Sequence, residues 1–489
     1  MTGNIAAGVQ EPGASLVAAC AAPSTALYFR PDGYVAACCG GWHLLGRVCG
    51  DERRSIREIW EGDAAAILRD AVAVGDFGYG CWECGQHITT GRREASLAAD
   101  FDRYALSSPG VPDHPSMMDF ALSNRCNLQC VMCNGGLSSA IRHHREGRDP
   151  MPAAYDDRFF DELDEFLPHL VRAQFKGGEP FLARENRRIW DRFRQIGGTR
   201  EVCVTTNGTI WNEHVERWVG DLAMELIVSI DAIDPATLER IRVGTDAERL
   251  WRNVDRFAAI TAVTGAPLTL CMCLMADNWR ELGPFLSEVD RRGLRASVIW
   301  VDGPARFNVL TMATAELEQA VRTLSEDVGR RATFGPDAAA IWDDAVERLA
   351  AALDARRRTE VAVHVGTAPA PTAVDLRGAQ REELSSLSPH ALVELELVND
   401  VVVDVVAPEW SAWLGPDGWV GTGLEQIMTV VAAAAGVTMR YEVESAEHGV
   451  HRAVLTFGTD GGPTTVRATL VPSPDTVGSS SLFMALLDP

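Results

Sequence analysis

Between about residues 115 and 305 the chain alternates short apolar runs with stretches whose apolar residues recur at i, i+3, i+4 and i+7. The runs predict strands at Met118–Leu122, Ala173–Lys176, Glu201–Thr205, Leu226–Ile230, Leu268–Leu274 and Ala296–Val301. Between them, DDRFFDELDEFLPHLV and NEHVERWVGDLA carry the helical period. Strand and helix alternating in this way argue for parallel βα units. About six such units fall short of a closed eight-unit barrel. The expected fold class is therefore α/β, with a partial (β/α)6 barrel as its core.

Beyond 310 the helical period continues in ATAELEQAVRTLSEDV and AAAIWDDAVERLAAALDARRR, and the Pro- and Ala-rich GTAPAPTA then reads as a linker. From about 383 onward, LVELELVNDVVVDVVA, RAVLTFG and TTVRATLVP alternate with turn residues. They predict a small antiparallel sheet with a helix near Leu424–Ala435, an α+β order resembling a PAS domain. The expected organisation is a cysteine-rich front domain (1–112), the βα core (113–308), a helical segment with its linker (309–382) and the C-terminal α+β domain (383–489). No internal repeat is visible.

Composition narrows the function. A chain of 489 residues, 46% hydrophobic and 23% charged, has material for several globular cores. Its net charge of −23 disfavours nucleic acid and anionic membrane as partners, and almost all the positive charge is arginine. No basic segment followed by an apolar core opens the sequence, and no run of 18 apolar residues occurs, so a cytoplasmic protein is expected. In a reducing compartment the 12 cysteines argue for metal ligands or reactive thiols over disulfides. None follows Cys273.

Cys126-Asn-Leu-Gln-Cys130-Val-Met-Cys133 spaces three thiols as C-x3-C-x2-C directly after a predicted strand. Three thiolates in one loop can hold three irons of a 4Fe–4S cluster and leave the fourth open to chemistry. A zinc knuckle needs a fourth Cys or His at finger spacing. The nearest histidines, His143 and His144, stand well beyond Cys133 in an arginine-rich stretch. With the segments that follow, the chain resembles the radical SAM superfamily over about 115–305. Lys176-Gly-Gly-Glu-Pro180 is similar to the GGEP segment, and Thr205-Thr-Asn-Gly208 to the loop ending the next strand. Val228-Ser-Ile-Asp231 is similar to the S-x-D strand, and Arg242-Val-Gly244 to R-x-G.

The resemblance implies that Cys126, Cys130 and Cys133 bind a 4Fe–4S cluster whose open iron is chelated by S-adenosylmethionine. It also implies cofactor contacts from Gly177, Gly178, Glu179, Pro180, Asn207, Ser229, Asp231 and Arg242. Reductive cleavage of the sulfonium then yields methionine and a 5′-deoxyadenosyl radical, which abstracts a substrate hydrogen. Met132 stands where the family often has an aromatic residue near the adenine, and a thioether can pack against a ring in its place.

At the front, Cys20 precedes Leu27-Tyr-Phe-Arg-Pro-Asp-Gly33-Tyr-Val-Ala-Ala-Cys38, a strand, a DG turn and a second strand. Ser55-Ile-Arg-Glu-Ile-Trp60 and Cys81-Trp-Glu-Cys84 follow. This resembles the SPASM or twitch segment of radical SAM enzymes, here placed before the core instead of after it. The resemblance implies that Cys20, Cys38, Cys81 and Cys84 ligate a second, auxiliary 4Fe–4S cluster for electron transfer or structure. A zinc site with the same four thiolates is the alternative. Cys39 should point to the opposite strand face, and Cys49 is either a substitute ligand or a spare thiol.

The substrate is the least legible part. Cys271 and Cys273 share one face of a strand, where a thiol near a substrate radical can return a hydrogen atom; buried cysteines also serve as small hydrophobes. The leading expectation is epimerisation of a carbinol carbon in a sugar or oligosaccharide natural product, with Cys273 or Cys271 as hydrogen donor and resemblance to the radical SAM epimerases of antibiotic biosynthesis. Peptide modification, alcohol oxidation and an Fe–S redox sensor stand as alternatives. A small-molecule or oligosaccharide substrate and an external one-electron reductant of flavodoxin or ferredoxin type are the expected partners.

Overall fold

The computed structural model describes residues 19–104, 111–301, 303–365, 396–398, 401–403, 438–447, 450–459, 462–472 and 482–487. Contacts divide the chain into two compact units, Met1–Ser123 with Pro152–Val204, and Asn124–Met151 with Thr205–Pro489.

The first unit is built on strands β1 (Ala26–Phe29), β2 (Tyr34–Ala36), β3 (Leu44–Arg47), β4 (Met117–Phe120), β5 (Arg172–Phe175) and β6 (Glu201–Thr206), in the spatial order β3-β2-β1-β4-β5-β6. Asp32-Gly33 makes the tight turn between β1 and β2, with Gly33 at φ +82°. On its other edge β1 pairs in parallel with β4, Ala26 beside Met117 and Phe29 beside Phe120. The front hairpin thus shares a sheet with the first core strand, although 80 residues lie between Ala36 and Met117.

Aromatic packing accounts for that pairing. Phe29, Phe120 and Phe175 occupy one register row, with ring centroids 5.5 and 5.0 Å apart. Phe159 closes on Phe29 at 5.5 Å and Trp190 on Phe175 at 5.4 Å, brought in by helices Asp157–Leu163 and Arg184–Ile196. All five side chains are fully buried. The alternation of strand side chains turns Tyr28, Asp119 and Gln174 to the opposite face.

In the second unit β7 (Glu225–Ser229), β8 (Leu268–Leu274) and β9 (Arg295–Trp300) run parallel in that order, with Ser229, Cys271 and Ser297 in one register row. Helix Ala247–Thr264 makes the crossover from β7 to β8. Asp246 caps its first turn, and Gly265 in the left-handed conformation ends it. The six expected core strands are all present, each starting within one residue of its predicted position. Helices Thr314–Glu326 and Pro336–Val365 fall on the two stretches expected to be helical.

Toward the C-terminus, Glu396–Val398 pairs with Val401–Val403. Thr438–Glu447, Val450–Thr459, Gly462–Pro472 and Leu482–Leu487 form an antiparallel four-stranded sheet. The expected linker GTAPAPTA and the helix near Leu424–Ala435 lie outside the described residues. Among the described residues no helix is long and apolar enough to cross a membrane.

Phe120 is the middle ring of the row, so Phe120→Ala should cost about 3–5 kcal/mol. Denaturant unfolding of the variant checks this, and an unchanged midpoint would show that the rings do not hold β1 to β4.

Candidate active site

The cysteine loop after β4 has neither helix nor strand geometry until helix Ser139–His144 begins, so its backbone groups need other partners. They find them within the second unit. Gln129 N–H donates to the Val243 carbonyl at 2.8 Å, and Val131 N–H to the Ile241 carbonyl at 2.9 Å. The Ser139 hydroxyl accepts from Cys126 N–H, at 3.1 Å, and lies equally close to the Cys126 carbonyl. Ser138 Oγ donates to the Leu128 carbonyl at 2.7 Å, and Asn124 Nδ2 to the Gly135 carbonyl at 2.9 Å. The loop is therefore shaped by its own protein contacts. Cys126, Cys130 and Cys133 sit half-buried on it. Burial, and next the neighbouring Cys130 thiol, push Cys133 up to about 12, and burial raises Cys130 as well. A cluster binds thiolates, so one held by these three cysteines would have to displace those protons.

Motif residues of the second unit gather around the same loop. Asn207 Nδ2 lies 3.9 Å from Cys126 Sγ and donates to Asn127 Oδ1 at 3.0 Å. Asp231 and Arg242 form a buried ion pair at 2.8 Å, with side chains 0% and 7% exposed. Arg242 Nη1 approaches Cys130 Sγ at 3.9 Å, and Asp231 Oδ1 accepts from the Cys273 N–H at 2.8 Å. Burial works against the guanidinium charge, but Asp231 and then Cys130 outweigh it and hold Arg242 above its ordinary range. Gly244 has φ +97°, a conformation that L side chains rarely adopt, and lies close to Asn127 O and Leu128 Cδ2, each 3.4 Å from where a Cβ would be. Ser229 is half-exposed beside Cys271 in the sheet. Met132 packs at the edge of a cluster of Ile241, Met275 and Phe307.

Gly177-Gly178-Glu179-Pro180 belongs to the first unit. Gly177 leaves β5 at φ +78°, and a Cβ on it would meet Ala121 Cβ at 2.8 Å and Cα at 2.9 Å, so only glycine lets the chain cross the end of β4. Glu179 is buried, and its carboxylate accepts from Phe181 N–H at 3.1 Å.

Beside this segment lies a group that the sequence reading missed. Lys176 Nζ pairs with Asp119 Oδ2 at 2.6 Å and stands 5.4 Å from the centre of the Tyr28 ring. Asp119 Oδ1 is buried with no hydrogen-bond partner among the described residues. Burial raises the Asp119 carboxyl. It works the other way on Lys176, where Asp119 prevails and the ammonium is held above its ordinary range. Two signals pointed here: an aspartate inside the apolar strand MMDF, and the fact that Lys176 is the only lysine in the chain.

At the front, Cys20, Cys38, Cys81 and Cys84 line one cavity together with apolar side chains such as Leu68, Val72 and Phe101. Burial pushes Cys20 up to about 11 and Cys81 up to about 12, and holds Cys38 and Cys84 above the usual thiol range. Ala22 N–H points at Cys20 Sγ from 3.4 Å. An all-thiol donor set in an apolar cavity with a backbone donor aimed at sulfur fits an iron–sulfur cluster. Cys39 is exposed, and Cys49 Sγ turns to the Asp32 carbonyl at 3.6 Å.

Residues 120–282 match the radical SAM superfamily, and residues 20–85 match SPASM, an iron–sulfur cluster-binding domain. The chain carries a radical SAM domain preceded by a SPASM domain. These domains bind a 4Fe–4S cluster with SAM and auxiliary iron–sulfur clusters. A GTP 3′,8-cyclase of Klebsiella pneumoniae is 25% identical over 189 residues, 37% of this chain and 53% of that protein. The chain spans about half the length of the curated relatives it matches. Among solved structures, Streptococcus suis SuiB bound to precursor peptide SuiA is 13% identical, covering 55% of this chain and 60% of its own, with a TM-score of 0.33. Native anSMEcpe with bound AdoMet is 14% identical, covering 43% and 59%, with a TM-score of 0.34.

Removing one partner of a buried ion pair leaves the other charge uncompensated, so Lys176→Met should destabilise the protein by about 3–5 kcal/mol. The double variant Lys176→Met/Asp119→Leu should recover most of that loss. Denaturant unfolding of the three proteins decides it; a double variant no more stable than Lys176→Met would mean the pair is not the source.

Proposed function

We propose that this radical SAM protein generates a 5′-deoxyadenosyl radical and uses it to epimerise a carbinol carbon of a sugar or oligosaccharide natural product. When bound at Cys126, Cys130 and Cys133, the cluster with SAM supplies that radical, which takes a hydrogen atom from the substrate carbon. The observation carrying the reading is the pair of thiols on β8. Cys271 and Cys273 lie on one face of that strand, and both feel the Asp231–Arg242 pair. Burial first, and the Asp231 carboxylate second, push Cys271 up to about 11 and hold Cys273 still higher above the thiol range. A hydrogen-atom donor must keep its S–H bond, and at neutral pH these two do.

One C–H bond of the substrate would break, its hydrogen atom going to the radical that the bound group would supply. The S–H bond of Cys271 or Cys273 then breaks to form the inverted C–H bond. The resulting thiyl takes one electron and one proton, the electron from an external reductant. The SPASM domain supports a second reading, modification of a peptide, in which no thiol returns hydrogen. Solvent deuterium gained at one substrate carbon marks epimerisation, and net loss of two hydrogens marks oxidation.

Two experiments test this reading. Anaerobically purified protein should hold about eight irons per chain, about four in a Cys126→Ala/Cys130→Ala/Cys133→Ala variant that no longer forms 5′-deoxyadenosine. Full iron loading without SAM cleavage would instead favour a redox sensor. Second, reductive SAM cleavage in D2O without substrate should place deuterium in 5′-deoxyadenosine from an exchanged thiol. Cys271→Ala/Cys273→Ala should abolish that label while cleavage continues. Undiminished label in the double variant would remove both cysteines as donors.

A further inference from the structure

The chain has a net charge of −23, yet between Asp119 and Glu146 it carries no acidic residue. That stretch holds the three loop cysteines together with Arg125, Arg142, His143, His144 and Arg145. Arg125, His143, His144 and Arg145 are exposed. Arg145 is fixed to the cysteine loop itself: its guanidinium donates to the Cys130 carbonyl at 3.1 Å and reaches the Gln129 carbonyl at 3.5 Å. Of the two nearest acids, Glu146 turns back to accept from the Gly135 N–H at 2.7 Å and pairs with Arg148 at 3.4 Å, while Asp149 is exposed beside Arg142, which donates to its backbone carbonyl.

We propose that this basic face, Arg125 with Arg142–Arg145 and Arg148, is the docking surface for a small acidic electron-transfer protein that delivers the reducing electron to the loop cysteines. The proposal rests on the reading of Cys126, Cys130 and Cys133 as cluster ligands. Over a surface so acidic on the whole, an acidic donor is repelled nearly everywhere, and a local basic face both attracts and orients it. Arg145 places that charge on the backbone of a cluster ligand, so the donor that meets it is brought over the loop and not to a remote site. Attraction of this kind acts on the encounter rate and weakens as salt screens it.

The test uses the cluster-loaded protein and reads cluster reduction by stopped-flow absorbance under anaerobic conditions. One arm uses a bacterial flavodoxin in its hydroquinone form, the other reduced methyl viologen, a small cation. His143→Glu/His144→Glu changes only two exposed side chains, whose rings contact each other. It should slow reduction by flavodoxin about tenfold, flatten the salt dependence seen in the wild type, and leave reduction by methyl viologen undiminished. Arg145→Glu should slow the flavodoxin arm further, with the electron paramagnetic resonance spectrum of the reduced cluster confirming that the loop is intact. A flavodoxin rate unchanged in both variants, or equally slow with both reductants, overturns the docking surface. A wild type that no reductant can reduce fails the reading of the three cysteines, and the proposal falls with it.

Discussion

The loop that carries the three thiols is neither helix nor strand, and this constraint shapes the second unit. An irregular, half-buried segment exposes backbone groups that have to be paired. Here Val243 and Ile241 supply the carbonyls, and Ser138 and Ser139 supply hydroxyls from the helix that follows. Gly244 suits its place because the segment there takes a φ of +97°, close against Asn127 and Leu128. The buried Asp231–Arg242 pair extends the same scaffold to Cys130 on one side and to the backbone of Cys273 on the other. Residues that the family pattern presents as separate motifs are, in this chain, the supports of one loop.

The first unit obeys a different constraint. Its sheet has one face packed with aromatic rings and one face carrying Tyr28, Asp119 and Gln174. An ion pair on that second face is expensive unless both partners are held in good geometry. Lysine brings a compact point charge to the place, 2.6 Å from Asp119 Oδ2 and 5.4 Å from the centre of the Tyr28 ring, where arginine would bring a planar fork. That every other basic side chain in the protein except histidine is arginine makes the exception physically pointed.

Much of this was legible in the sequence. The core strands stood out because each apolar run is short, bounded by Gly, Asp or Asn, and followed by a 3.6-residue period. The cysteine triplet declared itself by spacing, and the DG turn by composition. The parallel edge of β1 did not. A hairpin satisfies one edge locally through Tyr28 opposite Ala36, and nothing in the local pattern says what the other edge meets. Its partner, β4, lies far along the chain, and the row of rings that joins them exists only in the fold. The Lys176–Asp119 pair was hidden for a similar reason: Asp119 sits on β4 and Lys176 just past the end of β5, and no local pattern says that the two meet.

The front position of the SPASM domain then loses some of its strangeness. Residues Ala22, Ala26, Phe101, Tyr104 and Met117 form one buried cluster, with Cys20 and Cys38 packed at its edge. The last turns before the core, Leu97–Tyr104, therefore come back beneath the strand that opens it. What places the front thiols is the free edge of β4 and the apolar cluster under it. Either end of a chain can reach such an edge, because a strand adds to a sheet through its own backbone and not through its connection. Order along the sequence is then a matter of which loop is cut, while the position of the four-thiol cavity within the first unit is set by β1, β4 and the side chains between them.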